Sequence, residues 1–214
     1  CIHNKNNNTE SHMFKKIVIL LAVLFAVMMT ITIAEAKPKF FQKEVNKEQA
    51  IKSLQKGGMV VFVRHTYAPK VEGNMTKGYD GKKPCEQQRN LLSEGKKQAK
   101  DLGNFIRENN IGIEKAYASP ICRCWETAEI AGIEFEKNKL FQAKNWKKDE
   151  KVKQMRDIIK AWTGKGNLFV FTHFKVMKSV FSGFKADNGQ MLVVNTNLKK
   201  VGVINIPYNF DNTK

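Results

Sequence analysis

Two short apolar runs, each leading into a histidine, constrain the fold of this chain more than any other feature. Residues 59–63 follow a pair of glycines and end at Arg64-His65, and residues 168–171 lead through one threonine to His173. Apolar runs of four or five residues are too short for core helices and predict buried strands. The chain is therefore expected to contain a sheet with two chemically active side chains just beyond its strands.

Helical periodicity occupies the intervals between these strands. Helices are predicted at 47–56, 93–106, 120–132, 151–162 and 176–181, and further strands at 115–118, 191–195 and 201–206. The last two strands are expected to form an antiparallel pair around Asn197, residues 133–148 to be irregular, and Ser93 to cap its helix. Because strands alternate with helices, the sequence predicts one α/β domain, with three α/β/α layers and a mostly parallel central sheet.

The N-terminal residues have the pattern of a leader. Residues 1–12 are polar and are interpreted as a cloning remnant or an over-extended reading frame. Two lysines precede the uncharged, mostly apolar stretch 17–33, and a small-x-small cleavage pattern ends at Ala36. Residues 13–36 are therefore predicted to be a signal peptide and 37–214 the mature domain, periplasmic or secreted. An uncleaved leader would instead anchor the protein in a membrane, since its apolar run is near the short limit of a spanning helix.

The chain is strongly basic, with 37 Lys and Arg against 20 Asp and Glu, a formal net charge of +17. Such a charge suits nucleic acid, an anionic membrane surface or an anionic small substrate, or is simply a lysine-rich solvated surface. The basic residues are scattered and no nucleic-acid motif accompanies them, so no nucleic-acid partner is expected. A hydrophobic content of 42% excludes global disorder.

The candidate site consists of His65, His173, Arg64 and Arg123. The two histidines are the only ones within 37–214, and each follows a predicted buried strand, at the edge where open α/β sheets bind ligands. Arg64 adjoins His65, and Arg123 lies near a helix start after a Ser-Pro turn. Guanidinium groups bind phosphate oxygens with paired donors, and helix starts add backbone N–H groups. This set predicts a pocket for a tetrahedral dianion, the alternatives being incidental loop histidines and surface arginines.

Four blocks of sequence occur in a fixed order: Val-Arg-His-Thr at 63–66, Leu-Leu-Ser-Glu-Gly-Lys-Lys-Gln-Ala at 91–99, Ser-Pro-Ile-Cys-Arg-Cys-Trp-Glu-Thr-Ala at 119–128 and Phe-Thr-His at 171–173. Together they resemble the signature segments of the histidine phosphatase superfamily, which includes phosphoglycerate mutases and acid phosphatases. The resemblance implies a phosphoglycerate mutase-like fold.

The resemblance also implies roles for individual residues. His65 would attack phosphorus and become phosphohistidine, while Arg64, Arg123 and His173 would hold the equatorial oxygens. Water would then release phosphate, with no metal or cofactor required. Thr66, next to the nucleophile, is expected to contact substrate.

The sequence departs from the family in its proton donor. Phe174 follows the second histidine, where the phytase-like branch carries an aspartate. Asp149 and Glu150 lie at a plausible distance beyond the second arginine, and Glu72 and Asp80 lie in the long loop 66–90. The general acid is therefore not assigned: it is one of these four carboxylates, or the chain has no such acid.

The segment that carries Cys85 and Arg89, together with Cys122 and Cys124, resembles a small exported bacterial branch similar to lipopolysaccharide core heptose phosphatases. Arg89 would then reach the substrate, with a surface arginine as the alternative. In an oxidising compartment one disulfide is expected, from Cys85 to Cys122 or Cys124, with Cys124 favoured because it lies further inside its helix. One alternative is three reduced, buried cysteines. The other is a zinc site, although Cys-x-Cys is a closer spacing than zinc ligands usually have.

These features predict an exported phosphomonoesterase that acts on a small or lipid-linked sugar phosphate through a phosphohistidine on His65. The alternative is a catalytically weak phosphate- or polyanion-binding module of the same fold, motivated by the missing acid and the high charge. Mutase activity ranks lower, because an exported mutase of glycolytic substrates would have little use outside the cytoplasm. Contact with a membrane is expected only through an uncleaved leader.

Overall fold

The computed structural model describes residues 39–69, 84–146 and 148–207, with side chains from residue 47 onward. The predicted leader, 1–36, and the acid candidates Glu72 and Asp80 lie outside the described residues. Contacts divide the chain into two units, Cys1–Phe41 and Gln42–Lys214, and the sheet belongs to the second. Within the described part, no helix is both long and apolar enough to cross a membrane.

The secondary structure alternates between helices and strands. In chain order the elements are α1 (Lys39–Lys56), β1 (Val60–Arg64), a 3-10 turn (Cys85–Gln87), α2 (Ser93–Glu108), β2 (Ile113–Ala118), α3 (Cys122–Ile130), β3 (Glu136–Lys137), a second 3-10 turn (Lys139–Phe141), α4 (Asp149–Lys160), β4 (Asn167–Thr172), α5 (Phe174–Val180), β5 (Met191–Val194) and β6 (Lys200–Ile204). The predicted helices and strands are all present; α1 begins eight residues earlier than predicted, and the other ends shift by at most two residues.

The strands form one mixed sheet in the order β3-β2-β4-β1-β5-β6. The first four of these run parallel to their neighbours, while β5 pairs antiparallel with both β1 and β6. Arg64 pairs in register with Thr172, so β1 and β4 end side by side. The residues that follow these strands, His65 and His173, are thereby placed at the same carboxyl edge.

Helices cover both faces of the sheet, which confirms the three-layer α/β prediction. Along β1, Val61 and Val63 pack with α1, α2 and α3, whereas Val60 and Phe62 pack with α4 and α5. All four side chains are buried. Because both faces of the central strands are covered, their sequence is continuously apolar instead of alternating.

Two local predictions were wrong. Ser93 does not cap α2: Leu92 occupies the N-cap position without a side-chain hydrogen bond, and Ser93 is already helical. The first turn of α2 packs closely on the chain after β1, since a Cβ built on Gly95 would lie 2.0 Å from the Tyr67 carbonyl oxygen. Residues 133–148 are not wholly irregular, since they contain β3 and the second 3-10 turn.

Candidate functional site

His65 is held at the end of β1 by its own backbone neighbourhood. Its side chain is 2% exposed, and its Nδ1 lies 2.8 Å from the carbonyl oxygen of Thr66. A carbonyl can only accept, so this hydrogen bond places the ring proton on Nδ1. Nε2 of the neutral ring then carries a lone pair, which is the requirement for a nucleophile.

The segment before β5 clamps this strand end from the other side. The side-chain amide of Asn188 donates to the carbonyl oxygens of His65 and Thr66, at 3.1 Å each. The backbone carbonyl of Asn188 in turn accepts from the buried amide of Gln98, at 2.9 Å. The backbone N–H of Gly189 approaches the carbonyl oxygens of Arg64 and His65 at 3.2 and 3.3 Å. The position of the nucleophile therefore depends on a loop more than 120 residues away in sequence.

His173 follows β4 and is held through both of its ring nitrogens. Its Nε2 lies 2.9 Å from the hydroxyl of Ser119, and its Nδ1 lies 3.2 Å from a guanidinium nitrogen of Arg123. The ring is 3% exposed and its centroid lies 5.7 Å from that of His65. Ser119 follows β2 and Arg123 lies in the first turn of α3, so three neighbouring strands and one helix start contribute to the pocket.

The other two predicted arginines also belong to this edge. Arg64 donates to the carbonyl oxygen of Ala186 at 2.7 Å, and its guanidinium lies 5.7 Å from the ring centroid of Phe174. Phe174 therefore supports an arginine where the phytase-like pattern has an acid. The charge of Arg89 is one of those that lower the pKa of His173, which puts Arg89 within electrostatic reach of the pocket.

The electrostatics of the pocket favour neutral histidines and a bound anion. Burial, reinforced by the charge of Arg123, holds the pKa of His65 well below its usual value. Burial and the same arginine also hold the pKa of His173 well below its usual value. Both rings therefore stay neutral near pH 7, while the arginines remain charged. A phosphate dianion would be attracted by the charge of these arginines.

Thr66 has a supporting position. It is fully buried, and its N–H and its hydroxyl both contact the hydroxyl of Thr127, at 3.1 Å each. The Thr127 hydroxyl donates in turn to the Arg123 carbonyl oxygen at 2.6 Å. The pair thus links the strand end that carries His65 to the helix that carries Arg123. Direct contact between Thr66 and substrate stays a prediction.

Cys85 pairs with Cys122, so the preference for Cys124 as its partner was wrong. Cys124 is fully buried, and its thiol points inward to the Thr172 carbonyl oxygen at 3.3 Å and to the ring of His173. Cys122, at the first position of α3, faces the turn that contains Cys85. The Cys122 N–H also donates to the Gln88 side chain at 3.0 Å, and both contacts tie the segment before Arg89 to the start of α3.

The side-chain cations that chiefly lower the pKa of His65 and His173 are Arg64, Arg89, Arg123 and Lys151. Asp149 and Glu150 are exposed in the first turn of α4, and Glu150 accepts a hydrogen bond from the side chain of Gln154 at 2.9 Å. The proton donor therefore stays unassigned.

Sequence reasoning missed Ser119, Gln98 and Asn188 as parts of the site. The first two lie within the quoted sequence blocks, and their residue types could have suggested a polar role. Asn188 lies in a segment without periodicity, and only the folded chain shows that it reaches His65.

The comparisons with known proteins agree with this geometry. Residues 60–148 match the histidine phosphatase superfamily, branch 1. The matched segment includes Arg64, His65 and Arg123. The superfamily predicted from the sequence is thus supported, whereas the heptose phosphatase branch is not confirmed. No curated protein matches the chain.

Solved structures show the same fold at low sequence identity. The TTHB049 protein of Thermus thermophilus is 15% identical, with a TM-score of 0.51, over 72% of this chain and 99% of its own. The SixA protein of Agrobacterium tumefaciens is 13% identical, with a TM-score of 0.51, over 69% and 98%. A phosphoglycerate mutase of Thermus thermophilus is 16% identical, with a TM-score of 0.49, over 70% and 99%. The first two likenesses support the fold alone.

Proposed function

We propose that this protein is a phosphomonoesterase that works through a phosphohistidine on His65. The observation that carries the proposal is the hydrogen bond from His65 Nδ1 to the Thr66 carbonyl, which leaves the lone pair of Nε2 free to attack. Attack forms the P–N bond as the ester P–O bond breaks, and the leaving oxygen takes up a proton. Water then attacks phosphorus, the P–N bond breaks, and phosphate and a proton leave.

The remaining pocket groups stabilise charge during both steps. Arg64, Arg123 and His173 surround the place where the transferred phosphoryl group would lie. In phosphoryl transfer, fixed positive groups such as the two arginines account for most of the acceleration, since the protein contributes positioning and electrostatics. Arg123 is 7% exposed, so its charge acts with little screening by water.

Hydrolysis of p-nitrophenyl phosphate by the purified protein tests this reaction. His65→Ala is expected to abolish turnover, and acid quenching of the wild type is expected to trap phosphate on His65. Arg123→Lys is expected to lower kcat by about 100-fold or more, because one ammonium cannot replace a planar fork of donors. Arg156→Lys is the matched control, since Arg156 binds the Val180 carbonyl oxygen on another part of the domain. Its activity should stay within about twofold.

A binding module without catalysis is the second candidate, favoured by the unassigned proton donor and by the formal net charge of +17. It predicts phosphate binding without a trapped phosphoenzyme. Detection of phosphohistidine on His65 excludes it, whereas tight binding with no turnover of any phosphomonoester between pH 4 and 8 supports it.

The proposal includes export and a small or lipid-linked sugar phosphate as substrate. Export is supported by the leader pattern of residues 13–36 and is compatible with the Cys85–Cys122 disulfide. N-terminal sequencing of the cell-envelope or secreted fraction should give a protein that begins near Lys37. A protein that keeps its leader in the membrane fraction would support an anchor, and one found only in the cytosol would refute export.

A further inference from the structure

A basic cleft lies between the loop after β3 and the first turns of α4. Its volume is about 520 Å³, and its walls carry four lysines and one glutamate: Lys139, Lys144, Lys148, Lys151 and Glu150. Within the described ranges, ion pairs engage three other lysines and none of these four. The glutamate accepts a hydrogen bond from Gln154. The cleft therefore has a surplus of positive charge.

Backbone and side-chain hydrogen bonds fasten this cleft beside the proposed phosphate pocket. The N–H of Asn138 donates to the carbonyl oxygen of Ala118 at 2.8 Å, directly before Ser119. Thr172, the residue before His173, donates from its hydroxyl to the carbonyl oxygen of Phe141 at 2.6 Å. The loop is thus attached to the carboxyl ends of β2 and β4, the same ends that carry the pocket.

Lys151 connects the cleft with the pocket. Its ammonium donates to the carbonyl oxygens of Gln142 and Lys144, at 2.6 and 2.9 Å, so it fixes the loop against α4. Among the described residues, two of its three N–H donors are used in this way, which leaves a third. Lys151 is half-buried, and its charge is among those that lower the pKa of His173.

Scattered lysines on a solvated surface are expected in so basic a protein. Lys151 differs from them because burial of an ammonium is costly, and burial lowers its pKa. The other three lysines line the same cleft from exposed positions, where an incoming anion would lose little hydration.

We propose that this cleft is a subsite for a second anionic group of the substrate, and that the preferred substrates are phosphomonoesters that carry a further phosphate or carboxylate. The inference rests on the proposed function for the place of the first phosphate. Lysines suit the second group because they act as point charges and accept anions in several orientations.

Equilibrium binding by calorimetry tests the subsite without relying on turnover. Fructose 1,6-bisphosphate and fructose 6-phosphate are the probes, and the His65→Ala protein is used so that both remain intact. The bisphosphate should bind about tenfold more tightly at low salt, and the difference should shrink as salt rises. Lys144→Gln with Lys148→Gln should weaken bisphosphate binding about 3- to 10-fold and leave monophosphate binding within about twofold.

Lys52→Gln with Lys56→Gln is the matched control, because these exposed lysines lie on α1, which packs on the opposite face of the sheet from α4. Equal affinity for the two sugars, no measurable binding of either, or an equal loss in the control would overturn the subsite. Failure of the proposed function is distinguishable. A bisphosphate preference without p-nitrophenyl phosphate hydrolysis leaves the subsite standing, and hydrolysis that depends on His65 without the preference refutes the subsite alone.

Discussion

Replacement of Asn188 by alanine should impair catalysis far more than folding. The Asn188 amide donates to the carbonyl oxygens of His65 and Thr66, and the latter oxygen also fixes the imidazole proton. Alanine removes both donors, so the Thr66 carbonyl that orients the ring is held less firmly. The nucleophile would then sample orientations in which Nε2 does not point at phosphorus, and kcat should fall while KM changes little.

The size of the effect follows from the two lost hydrogen bonds. Each neutral hydrogen bond contributes about 1 kcal/mol net, so the pair contributes about 2 kcal/mol. If all of this free energy orients His65, kcat/KM falls about 30-fold, since about 1.4 kcal/mol corresponds to a factor of ten. Poor orientation also slows the formation of phosphohistidine, which rapid quenching measures directly.

Asn195→Ala is the control for loss of stability. The Asn195 side chain accepts from the N–H groups of Asn197 and Lys199, at 3.1 and 3.0 Å, in the turn between β5 and β6. It therefore loses the same number of hydrogen bonds at a place far in sequence from His65. Urea unfolding and kcat/KM should be measured for both variants. A fall of less than threefold for Asn188→Ala, or an equal fall for the control, would refute the positioning role.

Three further predictions concern pH, the disulfide and packing. Because burial lowers the pKa of His65, kcat/KM should not lose half its value as the pH falls through 6.5, and an activity midpoint at pH 6.5 would contradict this. Tm should fall below pH 6.5, because the unfolded chain then binds a proton that the folded ring does not. Cys85→Ser should lower the free energy of unfolding by about 2–4 kcal/mol and make it insensitive to dithiothreitol, and a variant still sensitive to the reductant would argue against the pairing. Gly95→Ala should lower the free energy of unfolding by about 1–3 kcal/mol, because its Cβ would meet the Tyr67 backbone. Gly112→Ala, with nothing within 4 Å of its Cβ, should change that free energy by no more than about 0.5 kcal/mol, and chemical denaturation measures both.

The core of the site could be predicted because strand ends are predictable. Buried parallel strands have a plain apolar signature, and in such a sheet neighbouring strands end at one edge. This reasoning alone brings His65 and His173 together, and the register of Arg64 with Thr172 agrees with it. The arginines followed from the rarity of their type in a lysine-rich chain.

The parts that were missed depend on geometry that spacing does not encode. Positions i and i+2 of a helix face different directions, but the sequence does not say which direction faces Cys85, so Cys122 could not be chosen. The position of Asn188 depends on how the segment between α5 and β5 folds back. The capping role of Ser93 was wrong because Ser93 is itself helical and Leu92 occupies the N-cap position.

If phosphate binds as proposed, the contact between Arg123 and His173 should link its binding to proton uptake. A guanidinium only donates, so Nδ1 of His173 accepts from Arg123, and the ring proton lies on Nε2 toward Ser119. When a dianion draws Arg123 to its oxygens, Nδ1 of His173 loses its hydrogen-bond donor. The charge of the dianion also makes the electrostatic potential around the His173 ring less positive. Both changes raise the pKa of His173, so binding should take a proton from the buffer. The binding enthalpy measured by calorimetry would then differ between phosphate-free buffers that have different ionisation enthalpies. The slope of binding enthalpy against buffer ionisation enthalpy gives the number of protons taken up.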